Sequence, residues 1–330
     1  MKLSYLILST TDPAFNLAAE QYVFDSLPRD RMYLMLWQND NAIIIGKHQN
    51  TAAEINEAFV RSHGIRVVRR LSGGGAVYHD LGNLNYTLIS DAQGSELDLG
   101  VFCRPVIRAL QKLGVDAQLN GRNDMTIGGQ KFSGNAQYRK EGRVMHHGTI
   151  LFDSDMSVLA DALQVDEEKM KAKGVKSVRS RVTNVRPHLP ADMTLPRFRS
   201  ALLESILEEM PGTEYELTEK DLAAIEATRR QRYATWEWNY GRSPGCDLKL
   251  RRRFEGCGTV EVFLTLNHGS IEAISFRGDY FSAEEPAVLE ALLVGCPRDA
   301  GALTQRLQNT DVGRFFHGLT TEQLIDLLCL

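Results

Sequence analysis

The five cysteines, Cys103, Cys246, Cys257, Cys296 and Cys329, contain no C-x-x-C pair. An odd, dispersed set argues against a disulfide framework and against a structural zinc site. It fits a reduced, cytoplasmic setting. No apolar stretch approaches the length of a membrane span. The short apolar run near the N-terminus is cut off by Asp12 and Pro13, too soon for a signal-peptide core, and reads as a buried strand. An excess of one charge is also missing: 38 Lys and Arg face 42 Asp and Glu, a net charge of −4. That balance gives no global field for nucleic acid. There is no internal repeat and no low-complexity tract.

What remains is the balance of a folded globular protein. Hydrophobic residues make up 43% and charged residues 24% of 330 positions, enough for two domains. Residues 3–9 read as a strand. Asp12 and Pro13 open a helix with Phe15, Ala18, Ala19, Tyr22 and Val23 as its apolar stripe. Residues 33–37 and 42–45 read as a strand pair joined at the turn Asn39-Asp40-Asn41. Further strands are expected at 84–89, 115–119, 124–127, 130–137 and 144–152. Helices are expected at 54–63, 100–113, 156–163, 194–209 and 218–230. Strands at 247–254, 258–266 and 270–277 and then two or three helices, including 284–294, close the chain. Without a strict β-α-β rhythm, the fold class is α+β: a mixed, largely antiparallel sheet domain followed by a small C-terminal α+β domain. The boundary is placed at residues 244–247.

Four clusters could carry chemistry. The first runs from Arg69 to Asn85: two arginines, Leu71, Ser72, then Gly73, Gly74 and Gly75. Three bare glycines beside two cations can receive a phosphate-bearing ligand on the backbone. No P-loop lysine follows and no G-x-G-x-x-G is present, so a simple turn is the competing reading. The second cluster is Gly121-Arg122-Asn123-Asp124, followed by Lys131, Phe132, Ser133 and Gly134. On a regular strand Lys131 and Ser133 share one face and Phe132 takes the other. A strand lysine facing inward needs an anion. The third cluster is His146-His147-Gly148-Thr149, with the two histidines on opposite faces, so one faces a pocket and the pair cannot jointly hold a metal. The fourth, residues 169–181, holds six cations and no acid. Trp236 and Trp238 read as packing anchors, Cys103 as a core residue of its helix, and Asp153 and Asp155 as helix caps.

In this order and spacing, the motifs from Arg69 to Asp80, Gly121 to Asp124, Lys131 to Gly134, His146 to Thr149 and Lys173 to Asn184 resemble the two-domain bacterial lipoate–protein ligases. Any one alone is weak; five together are specific. The resemblance implies a biotin/lipoate-ligase-type catalytic domain over residues 1–244 and an accessory domain over 247–330. It implies ATP and Mg²⁺ as cofactors and two steps: lipoate and MgATP give lipoyl-AMP, then a lysine of an E2 lipoyl domain or glycine-cleavage H protein takes the acyl group. Octanoate could replace lipoate. The expected state is a monomer, without nucleic-acid or membrane partners. By the same resemblance, Lys131 is catalytic. Arg70, Gly75, Ala76, Val77, Tyr78, Asn83, Asn123, Asp124 and Lys131 bind ATP or the adenylate, with Asp124 towards Mg²⁺. Ser72, Gly74, Lys131, Ser133, His147 and Gly148 bind lipoate. Lys173, Gly174, Lys176 and Arg179 belong to an adenylate-binding loop. An octanoyltransferase of the same fold would need a cysteine nucleophile, and Cys103 is the only cysteine in the first domain. Biotin ligases carry a Gly-Arg-Gly-Arg type loop, absent here. An adaptor on a dead ligase fold would have lost Lys131 or the glycines, and both are present.

Overall fold

The computed structural model describes residues 2–91, 100–120, 124–163, 182–241 and 248–330. Asn123, Lys173, Gly174, Lys176, Arg179 and the boundary at 244–247 lie outside the described residues. The chain divides into two compact units. The first comprises Met1–Ile45, Ala52–Arg70 and Ala76–Asn239. The second comprises Gly46–Thr51, Leu71–Gly75 and Tyr240–Leu330.

The first unit is built on β1 (Lys2–Ile7), β2 (Arg31–Trp37), β3 (Ala42–Ile45), β4 (Arg66–Arg69), β5 (Val77–His79), β6 (Asn83–Asp91), β7 (Ala117–Asn120), β8 (Asp124–Ile127), β9 (Gln130–Lys140), β10 (Arg143–Leu151) and β11 (Gly212–Glu214). Eight strands form one sheet in the order β11-β1-β2-β6-β10-β9-β8-β7. The β11/β1 and β1/β2 pairs are parallel and the rest antiparallel. The sheet is thus mixed and largely antiparallel. One face carries Leu84, Tyr86, Leu88, Phe132 and Ile150, packed with Val106 and Leu110 of the Gly100–Lys112 helix and Phe198, Leu202 and Ile206 of the Leu195–Glu209 helix. Cys103 lies fully buried in this core.

The Pro13–Ser26 helix starts as its sequence dictates. Asp12 accepts from the Ala14 amide at 2.9 Å, and Pro13 takes the first turn, where no amide donor is needed. Its C-terminal half is held by the Glu219–Thr228 helix, whose Thr218 and Asp221 form a capping box. Asp221 also accepts from the hydroxyl of Tyr215 at 3.0 Å and from that of Tyr22.

One expected hairpin does not form. β2 pairs with β1 and β6, whereas β3 leaves for a separate sheet, ordered β4-β3-β5. The turn between them is a crossover between the two sheets, anchored at Asn39 while Asp40 is exposed. Asn39 is inaccessible; its Oδ1 accepts from Asn16 at 3.0 Å and its Nδ2 meets His79 at 3.1 Å. All four residues of β3 are buried, as a strand covered on both faces requires.

The second unit holds an antiparallel sheet of β12 (Leu248–Phe254), β13 (Gly258–Asn267) and β14 (Ser270–Gly278). Helices Pro286–Leu293, Ala300–Leu307 and Thr321–Leu328 cover its core of Val260, Val262, Phe276, Leu289, Leu303 and Leu324. The glycine run belongs to this unit, and two of its members serve packing. A Cβ on Gly73 would lie 2.4 Å from the Tyr280 carbonyl oxygen. Gly74 has φ of 92°, and its amide donates to that same carbonyl at 3.3 Å. At Gly75 a Cβ would meet nothing within 4 Å. The expectation that all three glycines leave room for a ligand is therefore corrected: Gly73 is packed against Tyr280, whereas Gly75 has that room. Trp236 is 57% exposed and is not a packing anchor, whereas Trp238 donates from Nε1 to the Arg69 carbonyl at 2.8 Å.

Candidate active site

A one-residue slip in β9 shapes the site. Thr126 of β8 opposes Lys131, Met125 opposes Ser133, and Phe132 is the extra residue between them. This is a β-bulge. Phe132 is fully buried in the core, on the same face as Met125 and Ser133. Lys131 instead shares the opposite face with Asp124 and Gly134. Its Nζ lies 2.7 Å from Asp124 Oδ1 and 3.0 Å from where a Gly134 Cβ would stand. The expectation that Lys131 and Ser133 share a face is overturned, because regular alternation stops at the bulge. Ser133 is inaccessible and accepts from Asn135 Nδ2 at 3.3 Å. From the other side of Lys131, its carbonyl accepts from the Thr183 amide at 2.9 Å.

On Lys131's face of the sheet a polar row continues. The Gly134 amide donates to Thr149 Oγ1 at 3.2 Å. Thr149 opposes Asn85, and His147, two residues away, opposes Thr87. His147 Nδ1 meets Glu20 Oε1 at 2.8 Å; the Thr87 hydroxyl donates to that same oxygen at 2.7 Å, and Trp37 Nε1 donates to Thr87 at 3.0 Å. Glu20 is only 1% exposed. A carboxylate there fixes the tautomer and the ring plane of His147.

Arg70 follows β4 and is buried, with Nη1 donating to the Ile44 carbonyl at 3.1 Å. Burial lowers its pKa to about 10, against the opposing pull of Glu20. Arg69 is instead structural, its amide donating to Asn239 Oδ1 at 2.9 Å and its Nε to the Trp238 carbonyl at 2.8 Å. Tyr78 is buried and donates to Asn41 Oδ1 at 3.1 Å. Burial, then the charge of Asp80, raises its phenol to about 12. Ala76 and Val77 are half-buried. Asn83 is inaccessible and donates to Asn85 Oδ1 at 2.9 Å.

Gly148, expected at the lipoate, lies on the core face of β10. A Cβ there would meet Asn135 Oδ1 at 2.1 Å and the Tyr86 ring at 2.6 Å. Its missing side chain makes room for those two groups on the core face, away from His147. His146 sits on that core face too, with Nε2 3.3 Å from the Tyr86 hydroxyl and 3.7 Å from Cys103 Sγ. Both histidines are thus buried, one on each face.

The expected residues therefore separate as follows. Arg70, Ala76, Val77, Tyr78, Asn83, Asp124, Lys131, Ser133, His147 and Gly148 lie in the first unit, and Ser72, Gly74 and Gly75 in the second. Sequence reasoning missed Glu20. The available signal was an acid next to Ala18 and Ala19, inside the apolar stripe of its helix. Among the described residues no group of three or more His, Cys, Asp or Glu side chains is placed to hold a metal. Among them, too, no helix is long and apolar enough to cross a membrane.

Two consequences are testable. Burial drives the imidazoles of His79 and His146 down to about 3, aided by the charges of Arg70 and His147 at His79 and of His147 at His146. The unfolded chain takes up these protons first, near the ordinary value of 6.5, so stability is complete above that value and is lost as pH falls below it. Each histidine removes about 1.4 kcal/mol per pH unit, so the pair costs about 3 kcal/mol between pH 7.5 and 5.5. Urea unfolding at the two pH values measures this, and His146→Gln is expected to halve the drop. Gly134→Ala is expected to slow any reaction that depends on the Lys131 amine while lowering stability by less than about 1 kcal/mol, because only the mobile end of a side chain must give way. Rate and melting temperature, measured together, check it.

The chain carries a match to the lipoyl protein ligase A/B catalytic domain over residues 12–207, most of them in the first unit. The second unit carries one to the bacterial lipoate protein ligase C-terminus over residues 243–328. The chain is 43% identical over 323 residues to lipoate-protein ligase LplJ of Bacillus subtilis (strain 168), covering 96% of this chain and 97% of that protein. The crystal structure of P. falciparum LipL1 in complex with lipoate matches at a TM-score of 0.82 and 22% identity, over 99% of this chain and 98% of that one, a likeness of fold. A lipoate-protein ligase A crystallised with ATP matches at a TM-score of 0.63 and 28% identity, over 73% of this chain and 99% of that one.

Proposed function

The chain belongs to the lipoate–protein ligases, and from that premise we propose that it activates lipoate with ATP to lipoyl-AMP and then passes the lipoyl group to a lysine of an acceptor protein. The acceptors proposed are E2 lipoyl domains and glycine-cleavage H protein. The observation that carries the chemistry is the β9 bulge, which turns the Lys131 ammonium onto the polar face beside Asp124.

The first step joins a carboxylate to the α-phosphorus of ATP and expels pyrophosphate. Two anions must approach, and a positioned cation lowers that cost most where negative charge grows. Lys131 supplies that charge. An anionic substrate competes with Asp124 for the ammonium, so Asp124 keeps the lysine aimed without neutralising it permanently. Arg70, with the backbone of Gly75, Ala76, Val77 and Tyr78, is assigned to ATP, and Asn83 to the adenylate. Ser72, Gly74 and His147 are assigned to lipoate, with Glu20 fixing His147. Ser133 and Gly148 leave the lipoate set, since both face the core.

Mg²⁺ fits this donor set as an ion brought in by the phosphates, since it commonly takes one or two carboxylates and keeps oxygen ligands from the substrate. Asp124 is the carboxylate that would hold it, and the ion would offset phosphate charge. In the second step the acceptor amine attacks the carbonyl of the mixed anhydride, AMP leaves, and the amine's proton is lost.

The octanoyltransferase reading is disfavoured by Cys103, whose thiol is inaccessible. The test is to offer apo lipoyl domain and apo H protein with lipoate and ATP and follow the acceptor by mass spectrometry. One added lipoyl group on one lysine, strictly dependent on ATP, is expected. Acyl transfer from an acyl carrier protein without ATP would overturn the ligase reading.

A further inference from the structure

Among the buried polar atoms of the first unit without a hydrogen-bond partner are His79 Nε2, Asn83 Oδ1 and Asn85 Nδ2. Their residues are 3%, 0% and 2% exposed. Folded proteins rarely leave such groups unmet, and each one calls for an explanation. Asn83 and Asn85 already satisfy each other once, through Asn83 Nδ2 donating to Asn85 Oδ1 at 2.9 Å. That bond leaves Asn83 Oδ1 and the Asn85 amide donor unmet, and of these two the donor is the group that suits an anion.

Its position narrows the choice of ligand. Asn85 opposes Thr149 across β6 and β10. Thr149 Oγ1 accepts from the Gly134 amide, Gly134 opposes Asp124, and the Lys131 amine lies over Gly134. Asn85 therefore stands on the sheet row that leads to Lys131. The next row along the same face carries Thr87 and His147. Residues two apart on a strand share a face, so the two rows form one surface.

We propose that Asn85 is a binding residue for the carboxyl end of the acyl substrate. Its Nδ2 donates to one carboxylate oxygen while the other oxygen faces Lys131. This rests on the ligase reading, in which His147 lies on the acyl side and Lys131 at the carbon being activated. A neutral donor suits the task. It holds the carboxylate in place without a proton to give, so the attacking oxygen keeps its negative charge. The headgroup is common to lipoate and octanoate, so Asn85 serves both equally.

The experiment compares wild type with Asn85→Asp and Asn85→Ala in ATP–pyrophosphate exchange. The aspartate is isosteric and keeps the oxygen that accepts from Asn83. The Michaelis constants for lipoate and octanoate are expected to rise together by at least about tenfold, the loss of one hydrogen bond to a charged group, with that for ATP nearly unchanged. An unchanged lipoate constant, a rise for lipoate alone, or a rise for ATP alone would overturn the assignment. Should neither variant fold, the wild-type protein decides: the ¹⁵N-labelled Asn85 side-chain amide resonance is expected to move when lipoate is added, and a resonance that stays put rejects the proposal. Absence of lipoate-dependent exchange in wild type would instead bring down the ligase reading, and this assignment with it.

Discussion

Lys131→Ala is expected to abolish formation of lipoyl-AMP while the protein still folds. Removing one positioned charge from the growing negative charge of a transition state costs about 10²–10³-fold, and more where that charge also holds the substrates together. Folding has little to lose. The side chain is 37% exposed and its partner Asp124 28%, so the ion pair between them is screened by water and contributes at most about 1 kcal/mol. The Asp124 carboxylate left behind is still solvated. Direct detection of lipoyl-AMP after rapid quenching, alongside far-ultraviolet circular dichroism, measures both halves. A folded variant that still makes adenylate at the wild-type rate would remove Lys131 from its role.

Gly148→Ala is expected to fail in the opposite way, by unfolding. The added Cβ would overlap Asn135 Oδ1 at 2.1 Å and two Tyr86 ring atoms at 2.6 and 2.8 Å. Neither neighbour can swing aside. Tyr86 is inaccessible, Asn135 is 3% exposed, and the Tyr86 hydroxyl donates to Asn135 Oδ1. Overpacking of a closed core costs about 3 kcal/mol at its usual upper end, which lowers the melting temperature of a domain of this size by about 10 °C. Urea unfolding gives the free energy. A variant of wild-type stability with a raised Michaelis constant for lipoate would return Gly148 to the ligand.

The contrast between these two positions shows what a sequence can and cannot disclose. The antiparallel core strands and the amphipathic helices were legible because burial imposes their periods. Asp12 and Pro13 marked the first helix start through local backbone chemistry. The failures are non-local. The bulge at Phe132 moved Lys131 off the face it would share with Ser133, and no neighbouring residue advertises an inserted residue. The turn at Asn39 resembles a hairpin loop, yet its side chain is consumed by Asn16 and His79, which lie 23 and 40 residues away. Gly73 and Gly74 suggest a phosphate cradle, but the backbone at Tyr280 claims the space and the amide. Glu20 was hidden because an acid within an apolar stripe is discounted when only hydrophobic spacing is counted. Its partners His147 and Thr87 come from strands far along the chain.

The central claim is that the lysine turned outward by that bulge drives the union of a fatty-acid carboxylate with ATP. ATP–pyrophosphate exchange, with lipoate, octanoate and biotin offered separately to wild type and Lys131→Ala, tests it most directly. Exchange in wild type with lipoate, none with biotin, and none in the variant with any acid is the predicted result. Wild-type exchange that is absent with lipoate, or that persists undiminished in the variant, would contradict it.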